Sequence, residues 1–257
     1  MNFPIEYNES LFRPPSEARS LILQITLGCS WNKCSFCEMY TSKSFKARPE
    51  VDIFKEIESF EPYPSQIRRI FLADGDPLVL STQRLLNILN KLKNTFPNLQ
   101  RVSTYASPSN LARKSNTELR ELYEAGLTLL YVGIESGDSE VLECIQKGET
   151  FETTIDGLNK SKAVGMNSSV MIINGVGGKL LTKQHAINSA KVLNETQPKY
   201  ASTLVLTTHK GLEHYKNRYL GDFQKLNQVE LFTELQLFMQ NLELTETIFR
   251  SDHASNN

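Results

Sequence analysis

Residues 115–136 read SNTELRELYEAGLTLLYVGIES, and this stretch decides the fold. Ser115 and Glu118 have the spacing of a capping box, in which each side chain satisfies the other's backbone N–H at a helix start. Leu119 and Leu122 follow at helical spacing. Gly126 stands where helices end in a glycine. Leu127-Thr128-Leu129-Leu130-Tyr131-Val132-Gly133-Ile134 then runs nearly all apolar, as a strand buried on both faces does. A helix followed at once by such a strand is one unit of a parallel α/β sheet.

The same rhythm recurs outward in both directions. Further strands are predicted at Leu21–Thr26, Arg69–Ala73, Arg101–Tyr105, Ser169–Ile173 and Ala201–Leu206, which with the central one gives six. Leu85, Ile88, Leu89 and Leu92 mark a helix between two of them, and Leu231, Leu235, Phe238, Met239 and Leu242 form a last apolar helical face. Residues 1–20 read as an N-terminal extension, 21–227 as the core domain, and 228–257 as a C-terminal helix with a polar tail packed on that core. Ser251 to Asn257 reads as irregular, with Arg250 and His253 either solvated or folded over the site. Periodicity alone allows an open doubly wound sheet or a barrel.

Composition limits the function classes. The chain has 257 residues, 40% of them hydrophobic and 22% charged, enough for one large α/β domain with a core that needs no disulfides. With 28 basic and 29 acidic residues its net charge is −1, which gives no strong nucleic-acid signal. No signal peptide is visible, and no segment approaches the roughly 18 apolar residues of a membrane span. A cytoplasmic protein is expected.

Parallel βα folds bind ligands at the carboxyl ends of their strands. The segments in that position are polar or glycine-rich. They are the loop after Leu27, Asp74-Gly75-Asp76, then Ser103, Tyr105 and Ser107, then Glu135-Ser136-Gly137, then Asn174-Gly175-Val176-Gly177-Gly178, and finally Thr207 to Lys210. The first of these loops holds Cys29, Cys34 and Cys37, three of the four cysteines in the chain. Thiolates crowded in one short loop suit a soft metal or an iron–sulfur cluster. Cys144 reads as a buried, inert thiol in a helix. A structural zinc site would need four ligands, and the second cysteine pair typical of one is absent. Gly175, Gly177 and Gly178 do not complete a dinucleotide-binding fingerprint, because Leu180 fills its last place.

The spacing C-x4-C-x2-C, with Phe36 just before the last cysteine, resembles the radical S-adenosylmethionine superfamily, whose commoner form has three residues in the first gap. The resemblance spans most of the chain and implies a partial (β/α)6 TIM-like barrel of parallel strands with outer helices. In that superfamily three thiolates hold one 4Fe–4S cluster, and S-adenosylmethionine chelates the fourth iron. An electron from the cluster cleaves the sulfonium to a radical that abstracts hydrogen from a substrate. The resemblance makes Cys29, Cys34 and Cys37 the cluster ligands. Asp74-Gly75-Asp76 stands where the family often has Gly-Gly-Glu, which makes it the contact for the methionyl ammonium, through Asp76 and the Gly75 backbone. Glu135 and Ser103 are implied ribose or carboxylate contacts. Asn174 and Gly175 belong to a segment similar to the one beside the adenine. Tyr105 and His209 are candidates for contact with substrate.

The chain departs from the pattern at its four-residue first gap and at Lys179, where many relatives carry Glu. The branch containing methylthiotransferases, Elongator-type catalytic subunits and oxygen-independent coproporphyrinogen oxidases looks nearest. Arg13 to Ala18, the Asp74 loop and Phe249 to Asn256 resemble a group of small stand-alone proteins within it. Oxidoreductase or transferase chemistry follows, on a small-molecule or macromolecular substrate that the sequence does not disclose. A flavodoxin or ferredoxin-type electron donor is implied, with Trp31 and Lys33 as a conceivable docking point. Four cysteines and a short N-terminal extension disfavour an auxiliary cluster or a cobalamin domain. The alternatives are a non-catalytic haem- or cofactor-binding relative and a zinc-stabilised binding module.

Overall fold

Strand and helix alternate because apolar runs alternate with helically spaced apolar residues. The computed structural model describes residues 4–252 and 254–256, so Met1 to Phe3, His253 and Asn257 lie outside the described residues. In chain order the strands are β1 (Leu21–Gln24), the short β2 (Thr26–Leu27) and β3 (Lys46–Ala47), β4 (Arg69–Ala73), β5 (Arg101–Ala106), β6 (Leu127–Glu135), β7 (Asn167–Asn174), β8 (Tyr200–Val205) and β9 (Ile248–Arg250). The helices are α1 (Glu50–Glu58), α2 (Thr82–Thr95), α3 (Pro108–Arg113), α4 (Asn116–Glu124), α5 (Ser139–Cys144), α6 (Phe151–Ala163), α7 (Gly178–Thr196), α8 (Leu212–Lys216) and α9 (Gln228–Gln240).

The unit over residues 115–135 forms as read. Ser115 and Glu118 make both bonds of the capping box, a device worth about 1 kcal/mol. Gly126 ends the helix at φ +108°.

Seven strands lie in one parallel sheet in the order β1-β4-β5-β6-β7-β8-β9. The six predicted strands become β1 and β4 to β8. The seventh corrects the expectation of six: Ile248, Phe249 and Arg250 pair in parallel with Tyr200, Ala201 and Ser202. A second correction concerns Leu21–Thr26. The Ile25 N–H bonds to the Ala73 carbonyl at 2.6 Å, β1 stops at Gln24, and Thr26–Leu27 turns away to pair antiparallel with Lys46–Ala47.

The two faces of the sheet bury different clusters, as period-2 alternation requires. Leu23, Leu72, Leu130 and Val132 pack outward with Ile53, Leu89, Leu122 and Ala190 of the helices. Ile22, Phe71, Ala73, Leu129 and Tyr131 pack inward with Tyr7, Leu11 and Tyr105, so the N-terminal extension fills one side of the concave face. Below them, fully buried Glu17 accepts hydrogen bonds from Arg101 at 2.7 Å, Ser103 at 3.0 Å and Tyr131 at 2.6 Å. The helix α9 packs on α7 and buries Glu234 and Phe238. Among the described residues no helix is long and apolar enough to cross a membrane.

Candidate functional site

The cysteine loop runs from β2 to β3, across the carboxyl ends of β1 and β4. Its shape is held from within and by the end of α5. Asn32 donates to the Tyr40 carbonyl at 2.9 Å, the Cys37 N–H to the Cys34 carbonyl at 3.2 Å, and the Ser35 N–H to the Ile145 carbonyl at 2.8 Å. Cys34 is buried, while Cys29 and Cys37 are half-buried. Burial pushes the Cys34 thiol up to about 12, against the pull of the Lys147 ammonium. A coordinated metal reverses that preference, since it binds the thiolate.

Asp74, Gly75 and Asp76 divide their work. Asp74 straps the loop down: its Oδ2 accepts from the Gly28 N–H at 3.2 Å and from Lys43 Nζ at 2.9 Å, and its side chain is wholly buried. Gly75 lies under the cysteines. A Cβ added there would stand 2.8 Å from Cys29 Cβ and 2.9 Å from the Tyr40 ring, so only glycine permits this approach. Asp76 Oδ2 accepts from Ser30 Oγ at 2.7 Å and Asn110 Nδ2 at 2.5 Å. Its Oδ1 is buried with no hydrogen-bond partner. Burial raises the Asp76 carboxyl to about 6, although Ser30, Lys147 and Asn110 all favour its charged form.

At the end of β6, Glu135 adopts φ +63° and takes an ion pair from Lys147 Nζ at 3.0 Å. A non-glycine residue in the left-handed region is uncommon and marks a place worth attention. Glu135 and Cys37 line a cavity of about 550 Å3. Its walls are mainly apolar, from Phe12, Phe36, Met171, Ile173, Leu204 and Leu206, and its mouth carries exposed His209. The His209 loop is tied to the cysteine loop, because the Lys210 N–H donates to the Glu38 carboxylate at 3.1 Å.

Four expectations meet different surroundings. Ser103 is not at this mouth: it is fully buried and bonded to Glu17 and the Ile70 carbonyl on the inner floor. Tyr105, next on that inward face, packs edge-on to Phe71 at 5.0 Å and Tyr131 at 6.3 Å. The Gly175 N–H is taken by Glu234 Oε1 of α9 at 2.6 Å. Beside it, the carbonyl of buried Asn174 accepts from the Leu206 N–H at 3.0 Å. Cys144 closes α5 and is half-buried rather than enclosed mid-helix.

Ser30, Lys43, Asn110 and Lys147 reach the site without having been singled out from the sequence. Ser30 and Lys43 at least lie inside the cysteine loop; Asn110 and Lys147 come from distant segments with no local signal. Trp31 is exposed, donates to the Gln146 carbonyl at 2.7 Å, and has Lys33 Nζ 5.0 Å from its ring centroid. Among the described residues, no three or more His, Cys, Asp or Glu side chains are grouped about a single-ion site.

A curved parallel sheet with a three-cysteine loop over its carboxyl edge defines a class. Residues 23–193 match the model of the radical SAM superfamily, and the chain belongs to that superfamily. Its members use a 4Fe–4S cluster and S-adenosylmethionine.

Within it, the chain is similar to proteins of several kinds. It is 22% identical over 195 residues to the heme chaperone HemW of Buchnera aphidicola, covering 72% of this chain and 50% of that protein. It is 25% identical over 148 residues to the GTP 3′,8-cyclase of Listeria welshimeri, covering 56% of this chain and 42% of that one. Among solved structures, coproporphyrinogen III oxidase (HemN) from Escherichia coli superimposes with a TM-score of 0.67 at 17% identity, over 87% of this chain and 53% of the other. That likeness establishes a common TIM-like barrel architecture. The chain spans half or less of the length of these curated relatives.

Proposed function

We propose that this protein is an enzyme that holds one 4Fe–4S cluster through Cys29, Cys34 and Cys37 and binds S-adenosylmethionine against the Asp76 carboxylate. The observation that carries this reading is the buried, unpartnered Oδ1 of Asp76; the Oδ1 of Asp74 is unpartnered too, but that carboxylate is already paired with Lys43. An unpaired carboxylate oxygen away from water is costly, and the methionyl ammonium is a cation suited to it. The donor set agrees, since three thiols from one loop suit an iron–sulfur cluster. When bound, the pair supplies reductive cleavage of the sulfonium and hydrogen abstraction; the protein supplies placement.

Each residue then has a task. Gly75 lets the strand-end loop come under Cys29. Ser30 and Asn110 orient the Asp76 carboxylate through Oδ2, so that Oδ1 is the oxygen left without a partner. Glu135, fixed by Lys147, offers its carboxylate to ribose or amino-acid groups from the cavity wall. Phe36, Met171, Ile173 and Leu204 exclude water, which protects reactive species from side reactions. The cavity's apolar lining favours a substrate with an apolar face. An external flavodoxin or ferredoxin-type protein supplies the electron.

The test is anaerobic reconstitution followed by S-adenosylmethionine and dithionite. Formation of 5′-deoxyadenosine is expected, with none from Cys34→Ala protein whose circular dichroism is unchanged. A fully loaded cluster that yields no 5′-deoxyadenosine would overturn the enzyme reading. It would favour the second reading, a cofactor-delivering role, which rests on the similarity to the heme chaperone HemW.

A further inference from the structure

The helix α9 lies outside the six βα units, yet it places a carboxylate in their core. Glu234 is 3% exposed. Its Oε1 accepts from the Gly175 N–H at 2.6 Å and its Oε2 from Thr182 Oγ1 at 2.5 Å. Its Oε1 also stands 3.8 Å from Nε2 of buried His185. On the other side of that ring, Nδ1 shares a 2.8 Å hydrogen bond with Ser136 Oγ. Ser136 Oγ accepts the Asp138 N–H at 3.0 Å, which shapes the turn after β6. One carboxylate is thus hydrogen-bonded to the loop that follows β7, the strand that ends at Asn174, and stands beside the histidine that bonds the loop after β6.

Packing alone does not require this arrangement. Leu235 and Leu237 of the same helix pack into the apolar core, and a leucine at position 234 would avoid burying a charge. The backbone at Gly175 is shaped to the helix instead. It has φ +81°, and a Cβ there would meet Leu231 Cδ2 at 2.9 Å. A left-handed glycine whose amide points at a buried carboxylate is a loop held in one conformation by its partner.

We propose that Glu234 is a positioning residue for the cofactor site, holding the loop after β7 in the arrangement that accepts S-adenosylmethionine. The inference rests on the function proposed above. It acts through Gly175 and Thr182, with no contact between Glu234 and the cofactor. Losing Glu234 leaves the Gly175 amide and Thr182 without their acceptor, and releases the loop after β7.

The experiment compares wild type, Glu234→Ala, Glu234→Gln and Thr182→Val, each reconstituted anaerobically. Iron content, circular dichroism and the S-adenosylmethionine dissociation constant by equilibrium dialysis are the readouts. Glu234→Ala should keep its iron and weaken binding about tenfold, equivalent to ~1.4 kcal/mol. Glu234→Gln retains an acceptor for the Gly175 amide and should recover affinity to within about threefold of wild type. Thr182→Val, close in shape, should weaken binding about twofold to threefold. If Glu234→Ala does not fold, Thr182→Val decides alone. Unchanged affinity in a folded Glu234→Ala protein, or in Thr182→Val when it stands alone, overturns the inference while wild-type binding leaves the proposed function standing. Fully loaded wild type that binds no S-adenosylmethionine brings down both.

Discussion

Asp76 uses one carboxylate oxygen fully and leaves the other bare. Its carboxyl is raised from 3.8 to about 6, with desolvation by burial the largest cause. A group raised on folding contributes stability that is complete below its unfolded value and lost as pH rises through its folded value. For Asp76 that loss runs from about pH 4 to about pH 6. The folded protein therefore meets neutral pH with an ionised carboxylate that lacks a full set of partners. A bound ammonium supplies one. Affinity for S-adenosylmethionine is expected to fall as pH drops through about 6, and Asp76→Asn should both weaken binding at pH ~8 and flatten the profile. Equilibrium dialysis of cluster-loaded protein across that range checks it, and an unaltered profile in the Asn variant would remove Asp76 from the site. The sequence picks out an acid after a buried strand. It does not tell Asp74 from Asp76, because the two differ only in which neighbours fold against them: Lys43 and Gly28 for one, Ser30 and Asn110 for the other.

At the scale of elements, the cysteine loop is an irregular segment held by a buried ion pair. The side chains of Lys43 and Asp74 are 7% and 0% exposed, and Lys43 also donates to the carbonyls of Asn8 at 2.7 Å and Ser10 at 2.8 Å. One ammonium thus joins the loop, the end of β4 and the N-terminal extension. Removing one partner of a buried pair leaves an uncompensated charge, at a cost of about 3 kcal/mol or more. Lys43→Ala should lower the unfolding free energy by that amount, seen as a lower urea midpoint, and reduce iron uptake on reconstitution. An unchanged midpoint would show that the strap is not structural. Helix starts were legible here, since the capping box at Ser115 is a local pattern. The strand β9 was not. Its three residues follow no alternation long enough to read, and they are a strand because β8 offers a free edge.

For the whole molecule, the βα units come in sequential order, so the rhythm of the chain maps directly onto the sheet. The C-terminal segment closes what those units leave open. It adds β9 to the edge of β8, lays α9 over α7, and inserts Phe238 into the outer core. Truncation after Asn227 would expose apolar surface on α7 and strip the Gly175 amide of its acceptor. Loss of soluble yield, or a thermal midpoint lower by several degrees, is expected. A truncated protein as stable as the full chain would show that α9 is dispensable to the fold.

Pattern along the chain is enough for the alternation of strands and helices, the strand ends on which ligands gather, and the loop that carries three thiols. All of these are local patterns, written within a few residues of one another. It takes the folded chain to show that Glu17 claims Ser103 from 86 positions away, and that Glu234 claims the Gly175 amide from 59 positions away. The physical reason is that a buried polar group takes whichever partner packing brings to it. Periodicity along the chain carries no record of which distant segment that will be.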